Sequence, residues 1–157
     1  MTERSVTHAT FVIERTYPAS PARVFNAFAD PAIKRGWFAE GEGWEVETFE
    51  VDFQVGGREH SSFRFQGGPL ITNDTVYQDI VPDQRIIIAY SMAVEGAAIS
   101  SSLATMEFKP EGKGTRLVFT EQGAYLDGHD DVPGREHGTR ELLEALGRAL
   151  EREAANA

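Results

Sequence analysis

The sequence predicts an α+β domain in which an antiparallel β-sheet wraps a single long C-terminal helix. Three observations carry the prediction. From Trp44 to Gly123 apolar and polar residues alternate in short runs, each closed by Gly, Pro or Asp, as in an antiparallel meander. After about Gly134 the period changes, and Leu142, Leu143, Leu146, Ala149 and Leu150 form one helical stripe up to Ala155. The chain has 157 residues with 41% hydrophobic content, enough for one domain, residues 1–157, with a core of its own.

The elements follow in order. Val6–Tyr17 alternates, with Phe11, Ile13, Arg15 and Tyr17 on one face, and reads as a strand. Ser20-Pro21 opens a short helix with a capping hydroxyl and a proline in the first turn; Val24, Phe25, Ala27 and Phe28 give it an apolar side. Asp30-Pro31 repeats the signal for a second short helix, predicted to run to Arg35 and stop at Gly36. Strands are predicted over Trp44–Asp52, Arg58–Phe65, Ile71–Val81, Arg85–Val94, Ala98–Lys109 and Thr115–Gly123. The closing helix has a polar side with Glu136/Arg140 and Glu144/Arg148 at i,i+4. The order is therefore strand, two short helices, six strands, one long helix.

Several function classes are excluded. A formal net charge of −10 lacks the basic footprint of nucleic-acid binding. No apolar run is long enough to insert in a membrane, and the start, MTERSVTHATFVIERT, has no apolar stretch of a secretory signal, so a cytoplasmic location is expected. The absence of Cys removes thiol nucleophiles and Cys-based metal sites. Neither a G-x-S-x-G elbow nor a phosphate-binding glycine loop is present, and Ser100-Ser101-Ser102 lies on a strand with no base beside it in sequence. Asp127-Gly128-His129-Asp130-Asp131 lacks calcium-loop spacing and the paired His of zinc enzymes, and reads as a solvated loop leading into the helix. No metal and no cofactor are expected.

Periodicity places the candidate site residues. At 100° per residue Arg135 and Thr139 fall on the same side of the last helix as Leu142 and Leu146, while His137 faces water. On the last strand Leu117, Phe119 and Glu121 share a face, so Glu121 points inward. Glu121 and Arg135 form either a helix–sheet ion pair or a polar anchor for a ligand head group. Arg15 is either a cation of the same interior or the partner of an inward carboxylate. Asp52, before Gly56-Gly57, reads as a turn acid. The aromatics Phe25, Phe28, Trp37, Phe38, Tyr77, Tyr90 and Phe119 are either plain core or cavity wall, with Trp37 the candidate for its rim.

The local wording resembles a known family. ERTYPASPARVFNAFADPAIKRGWF, with Arg15, Pro18, Phe25, Asp30-Pro31 and Trp37, is similar to the opening of the AHSA-like family, named after the activator of the heat-shock protein 90 ATPase. Asp52-Phe53-Gln54-Val55-Gly56-Gly57 resembles its D-x-R-x-G-G turn, with Gln54 where Arg is usual. IVPDQRIII, GKGTRLVFTEQGAYLDG and REHGTRELLEALGRAL resemble, in order, its later strands and closing helix, with Gly-Thr where many members have Gly-Trp. The resemblance covers nearly the whole chain. It implies the helix-grip fold of the START-like (SRPBCC) superfamily, which includes polyketide cyclases, with a cavity between sheet and long helix. It further implies binding of a small apolar or amphipathic molecule there. Phe25, Phe28, Trp37, Phe38, Tyr77, Tyr90, Phe119, Leu142 and the polar Glu121, Arg135 and Thr139 are the expected lining. Two alternatives stand beside this: a cyclase- or hydrolase-like enzyme using Glu121 or Tyr77 as acid or base, and a co-chaperone-like interaction module. The chain is expected to be a monomer or homodimer.

Overall fold

The structure is a computed structural model that describes residues 3–156; Met1, Thr2 and Ala157, the ends of the expected 1–157 span, lie outside them. Strand β1 (Val6–Tyr17) leads into helices α1 (Pro21–Ala29) and α2 (Pro31–Phe38). Then come β2 (Trp44–Val51), β3 (Arg58–Phe65), β4 (Ile71–Val81), β5 (Arg85–Val94), β6 (Ala97–Glu111) and β7 (Gly114–Leu126), and finally α3 (Val132–Ala155). All seven strands form one antiparallel sheet in the order β1-β7-β6-β5-β4-β3-β2. The meander closes on the first strand, Ile13 pairing with Phe119 and Phe11 with Glu121. Helices α1 and α2 connect the two edge strands β1 and β2, and α3 packs on the sheet face that carries Ile13, Ile86 and Leu117. This is the helix-grip α+β fold.

Local chemistry sets the boundaries. Ser20 caps α1 by accepting from Arg23 N (3.2 Å), and Asp30 caps α2 by accepting from Ala32 N (3.0 Å). Asp131 caps α3 by accepting from Gly134 N (2.6 Å), so that helix starts at Val132 rather than at Gly134. Strands β6 and β7 run two or three residues further at their ends than the turn signals suggest: Pro110 and Glu111 pair with Thr115 and Gly114, and Ala124, Tyr125 and Leu126 pair with His8, Thr7 and Val6 of β1.

Helix α2 does not stop at Gly36. It continues through Trp37 and Phe38 to a cap at Ala39, whose N–H reaches Arg35 O. Glycine inside a helix costs about 1 kcal/mol relative to alanine. Burial of Trp37 outweighs that cost: its ring lies edge-on to Phe28 at 5.0 Å, and its Nε1 donates to Ala27 O (2.9 Å).

The solid core sits at one end of the grip. Ile13, Val24, Leu117 and Leu146 are fully buried where β1, β7, α1 and α3 meet. Each such side chain contributes roughly 1.5–3 kcal/mol by leaving water. Two side-chain-to-backbone bonds lock this end: Tyr17 OH to Leu143 O (2.7 Å) and Arg23 Nη2 to Leu150 O (3.0 Å). Arg15 takes the partnered alternative, pairing with Glu144 on α3 at 2.6 Å. Glu144 thus crosses to the sheet instead of following the i,i+4 spacing to Arg148, whereas Glu136 does hold Arg140 at 2.7 Å. His137 is exposed beside Glu141. Over β3–β6 the helix and sheet diverge, and a cavity opens between them.

Candidate functional site: a cavity with two polar poles

The cavity has a volume of about 520 Å³. Its walls come from the three helices and the inward-facing residues of β2–β7, and exposed Gly41, Glu42, Glu141 and Arg148 mark its opening between the α2–β2 loop and α3. Apolar side chains dominate: Ile88, Met92 and Met106 from the sheet, Leu142 and Ala145 from the helix. Among the residues singled out from the sequence, Phe28, Trp37, Phe38, Tyr77, Tyr90 and Phe119 stand in the wall, as do Arg135, Thr139 and Leu142. Trp37 is inside the wall at 5% exposure, not at the rim. Phe25 lies elsewhere: α1 turns its ring into the solid core, edge-on to Phe53 (5.8 Å) and Phe108 (5.5 Å). Glu121 sits behind the wall, fully buried, and meets the cavity only through its partners.

Those partners make the first pole. Glu121 Oε1 accepts from Tyr90 OH, and Oε2 accepts from Tyr125 OH at 2.7 Å and lies 3.5 Å from Arg135 Nη1. Arg135 also donates from Nη1 to Tyr90 OH (3.1 Å), and from Nη2 to Ser100 Oγ (2.7 Å) and to Asp130 Oδ2. Its guanidinium stacks near the Tyr125 ring, 5.4 Å from the centroid. Burial works against the Arg135 charge, but the facing Tyr90, Asp130 and Glu121 more than offset it, so its pKa is raised. Burial and the adjacent Glu121 carboxylate push the Tyr90 phenol far above its ordinary value. Asp130, within the Asp127–Asp131 run, is therefore an ion-pair partner of the helix, and Asp131 its cap; among the described residues no cluster of ligating side chains could hold a metal ion.

The second pole is one that sequence reasoning missed. Lys34 Nζ meets Glu59 Oε1 at 2.7 Å, and Tyr77 OH donates to the same oxygen at 2.6 Å. The two charged side chains are 8% and 2% exposed. The Lys34 ammonium also lies 4.8 Å from the Phe38 ring centroid. Tyr77 is held by the turn after β2. Gly56 N donates to Tyr77 O (2.8 Å) and Tyr77 N donates to Gly57 O (3.0 Å). Only glycine fits at 57, because a Cβ there would stand 2.1 Å from Asp52 O. The Asp52–Gly57 turn thus aims Tyr77 at Glu59. Alternation offered a signal for Glu59: it shares a strand face with apolar Phe63.

Between the poles the sheet floor carries small neutral polar groups. Asn73 and Thr75 are in the wall, and Thr75 Oγ1 donates to Asn73 Oδ1 at 3.1 Å. Ser61 lies opposite Asn73 in register, and Ser102 opposite Tyr90. Both hydroxyls are buried without a hydrogen-bond partner.

Comparison with known proteins fits this architecture. The profile of the family described as Activator of Hsp90 ATPase homolog 1-like protein matches residues 18–151. The chain belongs to this family. Among solved structures, it is similar to the Mll3558 protein of Rhizobium loti, with 55% identity and a TM-score of 0.86 over 92% of this chain and 99% of that one. It is also similar to a protein of Rhizobium leguminosarum, with 45% identity and a TM-score of 0.92 over 96% and 99% of the two chains. Protein CV1439 of Chromobacterium violaceum is more distant, at 25% identity and a TM-score of 0.78 over 90% and 96%. No curated protein matches the chain. The AHSA1-like fold is compatible with ligand binding. Among the described residues no helix is long and apolar enough to cross a membrane.

Proposed function

We propose that this AHSA1-like protein binds a small apolar or amphipathic molecule, non-covalently, in the cavity between sheet and C-terminal helix, in the cytoplasm. The observation that supports the reading is the cavity itself: about 520 Å³, largely apolar, open at one side, with polar groups confined to two poles and the floor between them. Ligand sites have this size and this sparse polarity. A close-packed interior tolerates few voids larger than a water molecule, so a space of this volume calls for an occupant. Phe28, Trp37, Phe38, Phe119 and Leu142 would supply contact area, and Tyr90, Arg135 and Thr139 polar contacts.

A reaction in the same cavity finds less support. Both Glu121 oxygens are held by Tyr90 and Tyr125, and the Tyr77 hydroxyl is committed to Glu59, so neither proposed acid–base group is free to meet a substrate.

Native mass spectrometry of freshly purified protein should show a non-covalent adduct lost on denaturation. The uncharged dye N-phenyl-1-naphthylamine should bind the emptied protein with enhanced fluorescence. Ala145→Phe, which adds a ring to the helix wall, should abolish dye binding while shifting Tm by no more than a few degrees. Dye binding that survives in a folded Ala145→Phe variant would place the site elsewhere.

A further inference from the structure

The chemistry of the cavity's polar groups narrows what it takes. Resting on the binding function proposed above, we infer that the occupant carries a neutral hydrogen-bonding head, such as a hydroxyl, carbonyl or carboxamide, and that ionised heads are rejected from the interior.

The first ground is that every buried charge is already matched. Lys34 is closed by Glu59, and Glu59 accepts from Tyr77 as well. Arg135 faces Glu121 and Asp130 together, and Glu121 accepts from two tyrosines. An anionic head has no free cation to meet and must break one of these pairs, leaving a carboxylate uncompensated. An ammonium head finds no free carboxylate in the interior; Glu42 and Glu141 stand exposed at the opening, where water screens them. Taking an ion out of water without a partner is strongly unfavourable. The balance also tilts against anions, since two interior cations, Lys34 and Arg135, stand against three carboxylates, Glu59, Glu121 and Asp130. Arg148 is exposed at the opening, where water screens it.

The second ground is that the unmatched groups at the cavity are neutral; Arg15 Nε, also unpaired, belongs to a side chain held by Glu144 outside the cavity lining. Ser61 is fully buried and Ser102 is 7% exposed, and neither hydroxyl has a partner. Asn73, 7% exposed and in the wall, accepts from Thr75 through its oxygen, which leaves its amide N–H groups for an occupant. These groups are neighbours by strand register: Ser61 pairs with Asn73, Thr75 with Tyr90, and Tyr90 with Ser102. Asn73, Thr75 and Tyr90 line the cavity together with Leu142 and Ala145 of the helix, and Ser61 and Ser102 flank them behind that lining. The open Asn73 amide in the wall calls for a partner, and a neutral head supplies one without disturbing either ion pair.

The test compares 1-decanol, decanoate and decylammonium, equal in chain length and different in head charge, at pH 7.5. Binding to the emptied wild-type protein is read by the fluorescence of Trp37 and Trp44, both in the wall, and by thermal shift. The alcohol should bind at least tenfold more tightly than either ion. Asn73→Leu should weaken the alcohol at least fivefold. An ion that binds as tightly as the alcohol overturns the inference, as does alcohol affinity unchanged in Asn73→Leu. The wild-type ranking decides by itself if that variant does not fold. A protein that takes N-phenyl-1-naphthylamine but fails this ranking, or binds none of the three, leaves the binding function standing and removes the head-group assignment. A protein that takes neither the dye nor any of the three removes both.

Discussion

Lys34 is a charged residue that a helix of eight residues delivers to the interior. It shares α2 with Trp37 and Phe38, and burial of those rings draws the ammonium in behind them to meet Glu59. Two buried ions attract strongly, yet each gives up hydration, so the intact pair adds little net stability; removing one member leaves the other stranded. Lys34→Met is expected to cost about 3–5 kcal/mol, because Glu59 would then keep only Tyr77. The double variant Lys34→Met/Glu59→Gln removes both charges and keeps an acceptor for Tyr77, so it should recover most of the loss. Urea denaturation of the four members of this cycle checks it. Additive losses would show that the two side chains do not act as a pair.

At the scale of elements, what could be read from the sequence was what local chemistry decides. Ser20-Pro21 and Asp30-Pro31 announce α1 and α2 because a capping oxygen and a fixed φ act within a few residues. Glu121 and Arg135 could be paired because each lies on the inward face of a long periodic element. Contacts that depend on how the sheet curls could not. Lys34 and Glu59 are brought together by the sweep of α2 over β3, and Glu144 reaches Arg15 because α3 crosses β1. Nor could composition reveal whether aromatic side chains fill the grip or line a space. The end of α2 departs from the sequence expectation for a related reason: Gly36 is a stop signal locally, and the packing of Trp37 overrides it. A Cβ at position 36 would meet nothing within 4 Å. Gly36→Ala should therefore stabilise the protein by about 0.5–1 kcal/mol through lower unfolded-state entropy and better helix propensity. A raised urea midpoint with unchanged slope would bear this out, and a lowered midpoint would mean that α2 needs its glycine.

At the scale of the whole molecule, the grip is fastened by tyrosines. The chain has 4, and each donates a hydrogen bond across the interior or at its edge. Tyr17 ties β1 to α3 through Leu143 O, Tyr77 holds Glu59, and Tyr90 and Tyr125 hold Glu121 under Arg135. Burial is the leading cause that raises the pKa of all four phenols, and a neighbouring carboxylate adds to it in each, Glu144 for Tyr17, Glu59 for Tyr77 and Glu121 for Tyr90 and Tyr125. In the unfolded chain the same groups ionise near pH 10. Above that pH the unfolded state binds fewer protons than the native state, so stability falls as pH rises. The stabilising contribution is complete below about pH 10 and is lost above it, at up to about 1.4 kcal/mol per pH unit for each tyrosine that stays protonated in the fold. Phenolate absorbance near 295 nm should therefore not follow four independent titrations near pH 10. It should appear in step with the loss of far-ultraviolet circular dichroism, at a pH that falls when urea is added. Full ionisation near pH 10 with the circular dichroism intact would show that the phenols are open to water, and that sheet and helix are held together by something other than these four bonds.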